Sequence, residues 1–384
     1  MKRFLTPAFL FLSAFAASLF FQHYSLACKE FFGLFLFTPD YFTEVFSGPL
    51  PVSNLIGSFL TQFYYYPALG AAITAAIATG VFLLVNDAFR VSGSSVPGTI
   101  AGCAAWMSMA FSEGISTGVA ALLLSTVLCL LSHLFKFKWK AERWWSVAVS
   151  LALISGCLCF TAVSKDIRKT ENRSKIEYAT INHDWQKVLE TATPYRCIGD
   201  RKMIPFALLA LNGYGQLSDN IKEYFIESTS DLDMAEDNSR EALVFNSILY
   251  EMLGVPNEAL HCTFQAGCTL EHGVSNGLLR QLVKFNLMAG NASMVAKYGT
   301  ILIKNPVNSR IGRQVLKMTE SMVERSFDGI PSSEAATVTH DPYFNLIMIG
   351  ASGNESAFLY DRIRAYQIIN PEINNNYIRY ERKD

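Results

Sequence analysis

Apolar residues dominate the first half of the chain, whereas the second half mixes apolar and polar residues at helical spacing. A helix needs roughly 20 apolar residues to cross a bilayer core about 30 Å thick. Five stretches approach that length, at residues 4–26, 67–86, 96–112, 115–135 and 144–163, and 96–112 is the shortest and least apolar of them. The pattern therefore predicts a membrane domain with five helical spans over residues 1–163.

The aromatic segment LFLFTPDYFTEVFSGPLP follows the first span. Thr38 and Pro39 are residue types that favour an N-cap and the first position of a helix, and Asp40 suits the positive end of the helix dipole. The sequence predicts two short amphipathic helices, at about 39–47 and 53–65, which lie on the membrane surface.

Basic residues near the spans set the expected orientation, because Lys and Arg concentrate on the cytoplasmic side of a membrane. With the N-terminus inside, that side receives Lys2, Arg3, Arg90, Lys136, Lys138, Lys140 and Arg143, and only Lys29 lies outside. Five spans then place the second half of the chain in the periplasm, as a multi-pass protein of a bacterial inner membrane. A basic run at 164–175, just after the last span, opposes this orientation. If 96–112 does not cross the membrane, four spans remain and the second half lies in the cytoplasm.

Most charged residues lie in the second half. Residues 164–384 contain 24 of the 32 Lys and Arg and 27 of the 33 Asp and Glu, which gives a net charge of −3. This balance excludes the basic surface with which proteins bind nucleic acid. We expect a basic linker at 164–177 and a soluble helical domain at 178–384.

Three segments of the second half share a pattern of an apolar helix ending near a glycine, a polar turn and an amphipathic helix. Their glycines, Gly215, Gly254 and Gly290, lie 39 and 36 residues apart, near the period of about 34 residues in tetratricopeptide repeats. LGVPNEAL at 253–260 resembles the turn of such a repeat, and KNP at 304–306 resembles its closing proline. The first and third segments lack the aromatic signature of the repeat. The expected fold class is all-α, with an N-terminal multi-span membrane helix bundle followed by a tetratricopeptide-like α-solenoid.

The whole layout resembles that of an uncharacterised family of bacterial inner-membrane proteins. The resemblance is carried by LFLFTPDYF, by LTQFYYYP before the second span and by HDWQKVLE at the start of the helical half. It implies more spans than this chain contains, so the chain looks like a shortened member. It implies an architecture and no activity.

Metal-ligand residue types are interpreted as structural, and no cofactor is expected. Cysteines 103, 129, 157 and 159 lie in predicted spans, where cysteine packs as a small apolar residue. The candidate zinc ligands are His261, Cys262, Cys268 and His272. Cys262 and Cys268, however, lack the usual spacing of two to four residues. Asp87, Glu113 and His133 lie at span edges, and transport usually needs charges at mid-span.

Two functions from different classes fit these features. The leading hypothesis is a scaffold whose helical repeats dock a protein partner in envelope or polysaccharide assembly, because the concave face of such repeats usually binds a partner. The alternative is a degenerate or partner-dependent membrane glycosyltransferase. It comes from the aromatic loop, which resembles the first external loop of membrane glycosyltransferases that use polyprenyl-phosphate sugars. That resemblance implies that Asp40 or Glu44 acts as the base on the acceptor. The scaffold is favoured because the chain contains no nucleotide-binding or hydrolase motif.

Overall fold

The computed structural model describes residues 2–89, 96–112, 114–135, 145–234, 237–325 and 341–373. Every regular element in these ranges is a helix. The chain divides into two compact units, one of residues 1–172 with 304–309 and one of residues 173–303 with 310–384. Glu113 lies outside the described ranges. So do five of the basic residues on which the expected orientation rests, namely Arg90, Lys136, Lys138, Lys140 and Arg143.

The helices of the first unit are α1 (Lys2–Phe21), α2 (His23–Phe32), α3 (Pro39–Ser47), α4 (Pro51–Thr61), α5 (Pro67–Ala88), α6 (Val96–Phe111), α7 (Ser116–Leu134) and α8 (Trp145–Val163). A 3₁₀ turn, Gln62–Tyr65, joins α4 to α5, and α9 (Lys165–Ile181) begins in the first unit and continues into the second. The side chain of Thr38 caps α3 by accepting a hydrogen bond from Tyr41 N–H at 3.4 Å.

Four helices are long and apolar enough to cross a membrane, namely Phe4–Phe21, Pro67–Ala88, Ser116–Leu134 and Trp145–Val163. The helix α6 has 16 residues and is about 24 Å long at 1.5 Å per residue, so it falls short of that length. The first predicted span is also shorter than expected, because α1 ends at Phe21 and α2 begins at His23. Length and composition thus support four of the five spans, and the fifth stays a prediction.

The short helix α6 packs closely on three apolar helices. A Cβ added at Gly102 would lie 3.0 Å from Ala78 O of α5 and 2.9 Å from a methyl group of Leu10 in α1. Thr99 Oγ1 donates a hydrogen bond to Ser150 Oγ of α8 at 2.7 Å. Small residues of this kind let helix backbones approach one another in a membrane, where the hydrophobic effect does not drive association.

Polar contacts show which helix ends lie together. Gln22, which directly follows α1, donates from Nε2 to Ala110 O at 3.2 Å, and Lys29 of α2 donates from Nζ to Met109 O at 2.8 Å, both near the end of α6. At the far end of α5, Asp87 Oδ2 lies 3.0 Å from His133 Nε2 of α7. The ends of α1 and α6 therefore share one side of the unit, the ends of α5 and α7 share the other, and α6 runs antiparallel to α5.

The Glu171 carboxylate connects α9 to the start of α2. It accepts hydrogen bonds from Tyr24 N–H at 2.8 Å, from Ser25 N–H at 2.9 Å and from Ser25 Oγ at 2.7 Å. Burial raises the pKa of this carboxyl, and the three hydrogen bonds partly offset that rise. The helix that follows α8 therefore lies beside the helix that follows α1.

Phe35 is the centre of an aromatic cluster in the segment after α2. Its ring centroid lies 4.9 Å from that of Phe37, 5.5 Å from that of Tyr41 and 5.3 Å from that of Phe59. Tyr41 Oη also donates to Leu34 O at 2.8 Å. Edge-to-face pairs of this kind contribute about 0.5–1.5 kcal/mol each beyond the apolar area that they bury, so the cluster fixes α3 and α4 to the extended segment between α2 and α3.

Residues 304–309 return to the first unit and bind this extended segment. Phe37 N–H donates to Lys304 O at 2.9 Å, and the fully buried Asn305 donates from Nδ2 to Phe35 O at 3.2 Å. These bonds pair backbone groups that no helix satisfies. The aromatic stretch is thus a structural collar and not a further span.

The helices of the second unit are α10 (Trp185–Thr191), α11 (Pro194–Gly199), α12 (Ile204–Gly213), α13 (Leu217–Asn220), α14 (Arg240–Met252), α15 (Pro256–Cys268), α16 (Asn276–Met288), α17 (Ala292–Ile303), α18 (Ser309–Arg325), α19 (Pro342–Ala351) and α20 (Ala357–Ile369). Pairs of them, including α14 with α15 and α16 with α17, form helical hairpins.

Three turns of the second unit have the same backbone hydrogen bonds. Gly215, Gly254 and Gly290 have φ angles of 67°, 72° and 73°, a left-handed conformation that glycine adopts without steric cost. The residue after each glycine donates its N–H to the carbonyl five positions back, from Gln216 to Leu211, from Val255 to Tyr250 and from Asn291 to Asn286. This pattern is the Schellman ending of a helix, and it confirms the helix ends predicted at these glycines.

The last helix departs from a simple array of repeats. Asp361 of α20 accepts hydrogen bonds from the N–H groups of Leu217 and Ser218 in α13, both at 2.9 Å. Asn212 of α12 donates from Nδ2 to Phe358 O at 2.9 Å. In a regular solenoid each repeat contacts only its sequence neighbours, whereas here the end of the unit packs on its beginning.

The packing of α6 predicts that Gly102→Ala destabilises the first unit by about 1–3 kcal/mol, because the new methyl group overpacks the contact with α1 and α5. Gly156→Ala in α8 is the matched control, since no described atom outside that helix lies within 4 Å of the position that its Cβ would take. Thermal unfolding of the detergent-solubilised chain measures both. Equal melting temperatures for the two variants would show that α6 is not packed as described.

Candidate functional site

A groove lies between the hairpins α14–α15 and α19–α20 of the second unit. Its volume is about 690 Å³. A smaller cavity of about 310 Å³ continues it and shares Asp233, Asp237 and Tyr366 with it. Cavities of this size accommodate several side chains of a bound ligand or peptide.

A buried guanidinium forms the floor of the groove. The Arg362 side chain is 1% exposed, and it donates from Nη2 to Leu232 O and from Nη1 to Asn212 Oδ1 at 3.4 Å. Beside it, Tyr366 Oη donates to the Asp233 carboxylate. The floor therefore carries one cation and one anion, and a protein interior tolerates such charges only when they are paired and hydrogen-bonded.

Burial determines the protonation states of these groups. Desolvation lowers the pKa of Arg362, although the nearby Asp233 and Tyr366 oppose that change; an arginine stays charged in proteins under all ordinary conditions. Burial, and then the neighbouring Asp233 carboxylate, raise the pKa of Tyr366 well above its usual value. Tyr366 therefore remains a hydrogen-bond donor to Asp233 throughout the physiological range.

Carboxylates dominate the ionisable groups that line the two cavities. Besides Asp233, these are Asp237, Glu258 and Asp341, and the described lining contains one guanidinium, that of Arg362. Glu258 lies 3.3 Å from His261, so protonation of that imidazole would offset part of the negative charge. At neutral pH the groove is therefore acidic.

Local interactions hold the two helices that contribute the lining between Asp341 and Tyr366. Asp341 caps α19 by accepting hydrogen bonds from the N–H groups of Tyr343 and Phe344 at 3.0 and 3.1 Å. In α20, Leu359, Arg362 and Tyr366 follow the spacing of a buried helical stripe. A charged residue at a stripe position is the signal that sequence reasoning missed.

The four candidate zinc ligands, interpreted from the sequence as structural, are only partly brought together. His261 and Cys262 line the groove, Cys268 is exposed at the end of α15, and His272 lies in the turn that follows. The four side chains, all of them described, do not form a group of converging metal ligands. Among the described residues, one such group is found, and it consists of other residues.

The predicted catalytic candidates Asp40 and Glu44 are both exposed on α3, and Asp40 lies in its first turn. A different set of side chains, Asp87, Cys129 and His133, converges at the shared end of α5 and α7. In the sequence, Cys129 is a small residue within a span and Asp87 and His133 lie at span edges. Asp87 and Cys129 are 42 positions apart, so no local pattern brings them together.

Comparison with protein families gives one result. A model of a family described as a family of unknown function (DUF6057) matches residues 1–164 and also residues 109–328, so the matches cover well over half of the chain. No curated protein and no solved structure matches. The family match confirms the expectation of an uncharacterised family.

The charged floor predicts that Arg362→Met lowers the free energy of unfolding of the second unit by about 3–5 kcal/mol, because Asp233 then stays buried without the guanidinium beside it. Arg364→Met is the matched control on the same helix, where Arg364 is exposed, and its effect stays within about 0.5 kcal/mol. Urea unfolding of the full chain measures both, followed by Trp185 fluorescence in a background whose other four tryptophans are replaced by phenylalanine. A similar loss in the two variants would contradict the role given to Arg362.

Proposed function

The chain belongs to the family of unknown function DUF6057, and we propose that it is an integral membrane protein whose helical-repeat domain docks a partner protein. The observation that carries this proposal is the acidic groove between α14–α15 and α19–α20, with the buried Arg362 at its floor. A groove lined by adjacent helical hairpins is the usual binding surface of helical-repeat proteins.

The proposed architecture is a bundle of five spans followed by a tetratricopeptide-like solenoid closed by α20. The identical turns at Gly215, Gly254 and Gly290 support the repeats. The contact of Lys29 with Met109 supports a complete crossing by α6, because it brings the end of α6 to the end of α1. In this topology the N-terminus is cytoplasmic and the repeat domain lies in the periplasm of a bacterial inner membrane.

The partner that fits the groove presents a segment with Lys or Arg side chains. Asp233, Asp237, Glu258 and Asp341 supply four carboxylates against one guanidinium, so complementary charge both attracts and orients a basic segment. The periplasmic location makes envelope or polysaccharide assembly the expected setting.

Site-specific photocrosslinking in cells tests the docking proposal. A photoreactive residue at Asn238, which lines the groove, is expected to give one discrete crosslinked protein, whereas the same residue at Tyr195, which is 85% exposed outside the groove, gives none. The groove residue Gln265 supplies the matched pair of variants: Gln265→Lys reduces the crosslink about fivefold, equivalent to about 1 kcal/mol of repulsion, and Gln265→Glu preserves it. Equal products from both crosslinker positions, or equal effects of the two Gln265 variants, would contradict docking in the groove.

The alternative is a glycosyltransferase that uses a polyprenyl-phosphate sugar with Asp40 as base, and the exposure of Asp40 on α3 favours it. The same cells separate the two functions. If the protein is a scaffold, Asp40→Asn leaves the Asn238 crosslink unchanged. Loss of sugar transfer from a radiolabelled polyprenyl-phosphate donor in Asp40→Asn membranes, at normal protein level, would instead establish the transferase.

A further inference from the structure

Three side chains with different donor atoms converge where α5 and α7 end. Asp87 Oδ2 lies 3.0 Å from His133 Nε2 and 3.1 Å from Cys129 Sγ. All three donor atoms lie within 4.8 Å of one another. An oxygen, a nitrogen and a sulfur donor at this separation form a ligand set that suits Zn²⁺.

The helix geometry holds these donors on one side of α7 and against α5. Cys129 and His133 are four residues apart in α7, so they share a face and lie one turn from each other. Asp87 is the penultimate residue of α5. Ser132 Oγ donates to Ala88 O, and this bond fixes the two helix ends next to each other.

The two separations from Asp87 Oδ2 are close to those of a tetrahedral site. Zinc bonds of about 2.0–2.3 Å place neighbouring ligand atoms about 3.3–3.6 Å apart, so the oxygen needs to move only a few tenths of an ångström from His133 and from Cys129. Cys129 is buried, whereas the side chains of Asp87 and His133 are 61% and 50% exposed. The site is therefore open on one side, where a fourth ligand enters.

We infer that Asp87, Cys129 and His133 form a zinc site at the shared end of α5 and α7, with water as the fourth ligand. On binding, the Cys129 thiol gives its proton to solvent and its thiolate coordinates the metal; no redox step occurs. The site is independent of the docking groove, and it adds a metal link between two apolar helices that also share the Ser132–Ala88 hydrogen bond.

The test uses the full chain, purified in detergent under reducing, oxygen-free conditions and titrated with Co²⁺, followed by Zn²⁺. The expected result is a thiolate-to-cobalt absorption band that saturates at one Co²⁺ per chain and disappears when Zn²⁺ is added. Cys129→Ser abolishes the band, and His133→Ala weakens Co²⁺ binding at least tenfold. Cys268→Ser and His261→Ala are matched controls in the second unit, and they leave the titration unchanged.

A second readout distinguishes loss of the ligand from loss of the fold. Zn²⁺ is expected to raise the melting temperature of the unaltered chain and of Cys268→Ser, because a ligand that binds only the folded state stabilises it. Cys129→Ser, whose circular dichroism spectrum should match that of the unaltered chain, shows no such rise. The inference is overturned if the unaltered chain gives no thiolate-to-cobalt band, or if the band survives in Cys129→Ser.

Discussion

The hydrogen bonds of the Glu171 carboxylate determine where the second half of the chain leaves the apolar helices. The carboxylate accepts from the N–H groups of Tyr24 and Ser25, so the helix after α8 starts beside the helix after α1. If α1 and α8 finish at the same end of the unit, the number of crossings after α1, with α8 included, is even. The helices α5, α6 and α7 lie between α1 and α8 and give at most three of these crossings. With α8 as the fourth, an even number is reached only if α6 also traverses the unit, and this is the physical argument for the proposed fifth span although α6 has only 16 residues.

The same end carries the aromatic collar around Phe35, which residues 304–309 bind through backbone carbonyls and Asn305. Under the proposed topology this end faces the periplasm.

The floor of the groove is charged because Arg362, Asp233 and Tyr366 are buried together there. Buried charges are costly unless they are hydrogen-bonded, and here Arg362 donates to Leu232 O while Asp233 accepts from Tyr366.

The helices, the capping of α3 and the turns at the three glycines follow from local sequence signals, because each depends on residues within about one helical turn. The sequence also indicated that α6 is short, since 96–112 is the shortest predicted span. It did not reveal the break after α1, because hydropathy alone does not locate helix ends. It also missed Arg362 as the floor of a groove. Its partners Asn212 and Leu232 are 150 and 130 residues away along the chain, and only the fold of α20 onto α12 brings them together.

The most direct test of the proposed architecture is membrane topology, measured with alkaline phosphatase, which is active only in the periplasm, fused after Ser53 and, separately, after Asp384. We expect activity at both positions, because the collar and the repeat domain follow crossings that end on the same side. Activity after Ser53 but not after Asp384 would contradict the account. The chain would then cross four times, and the acidic groove would face cytoplasmic partners.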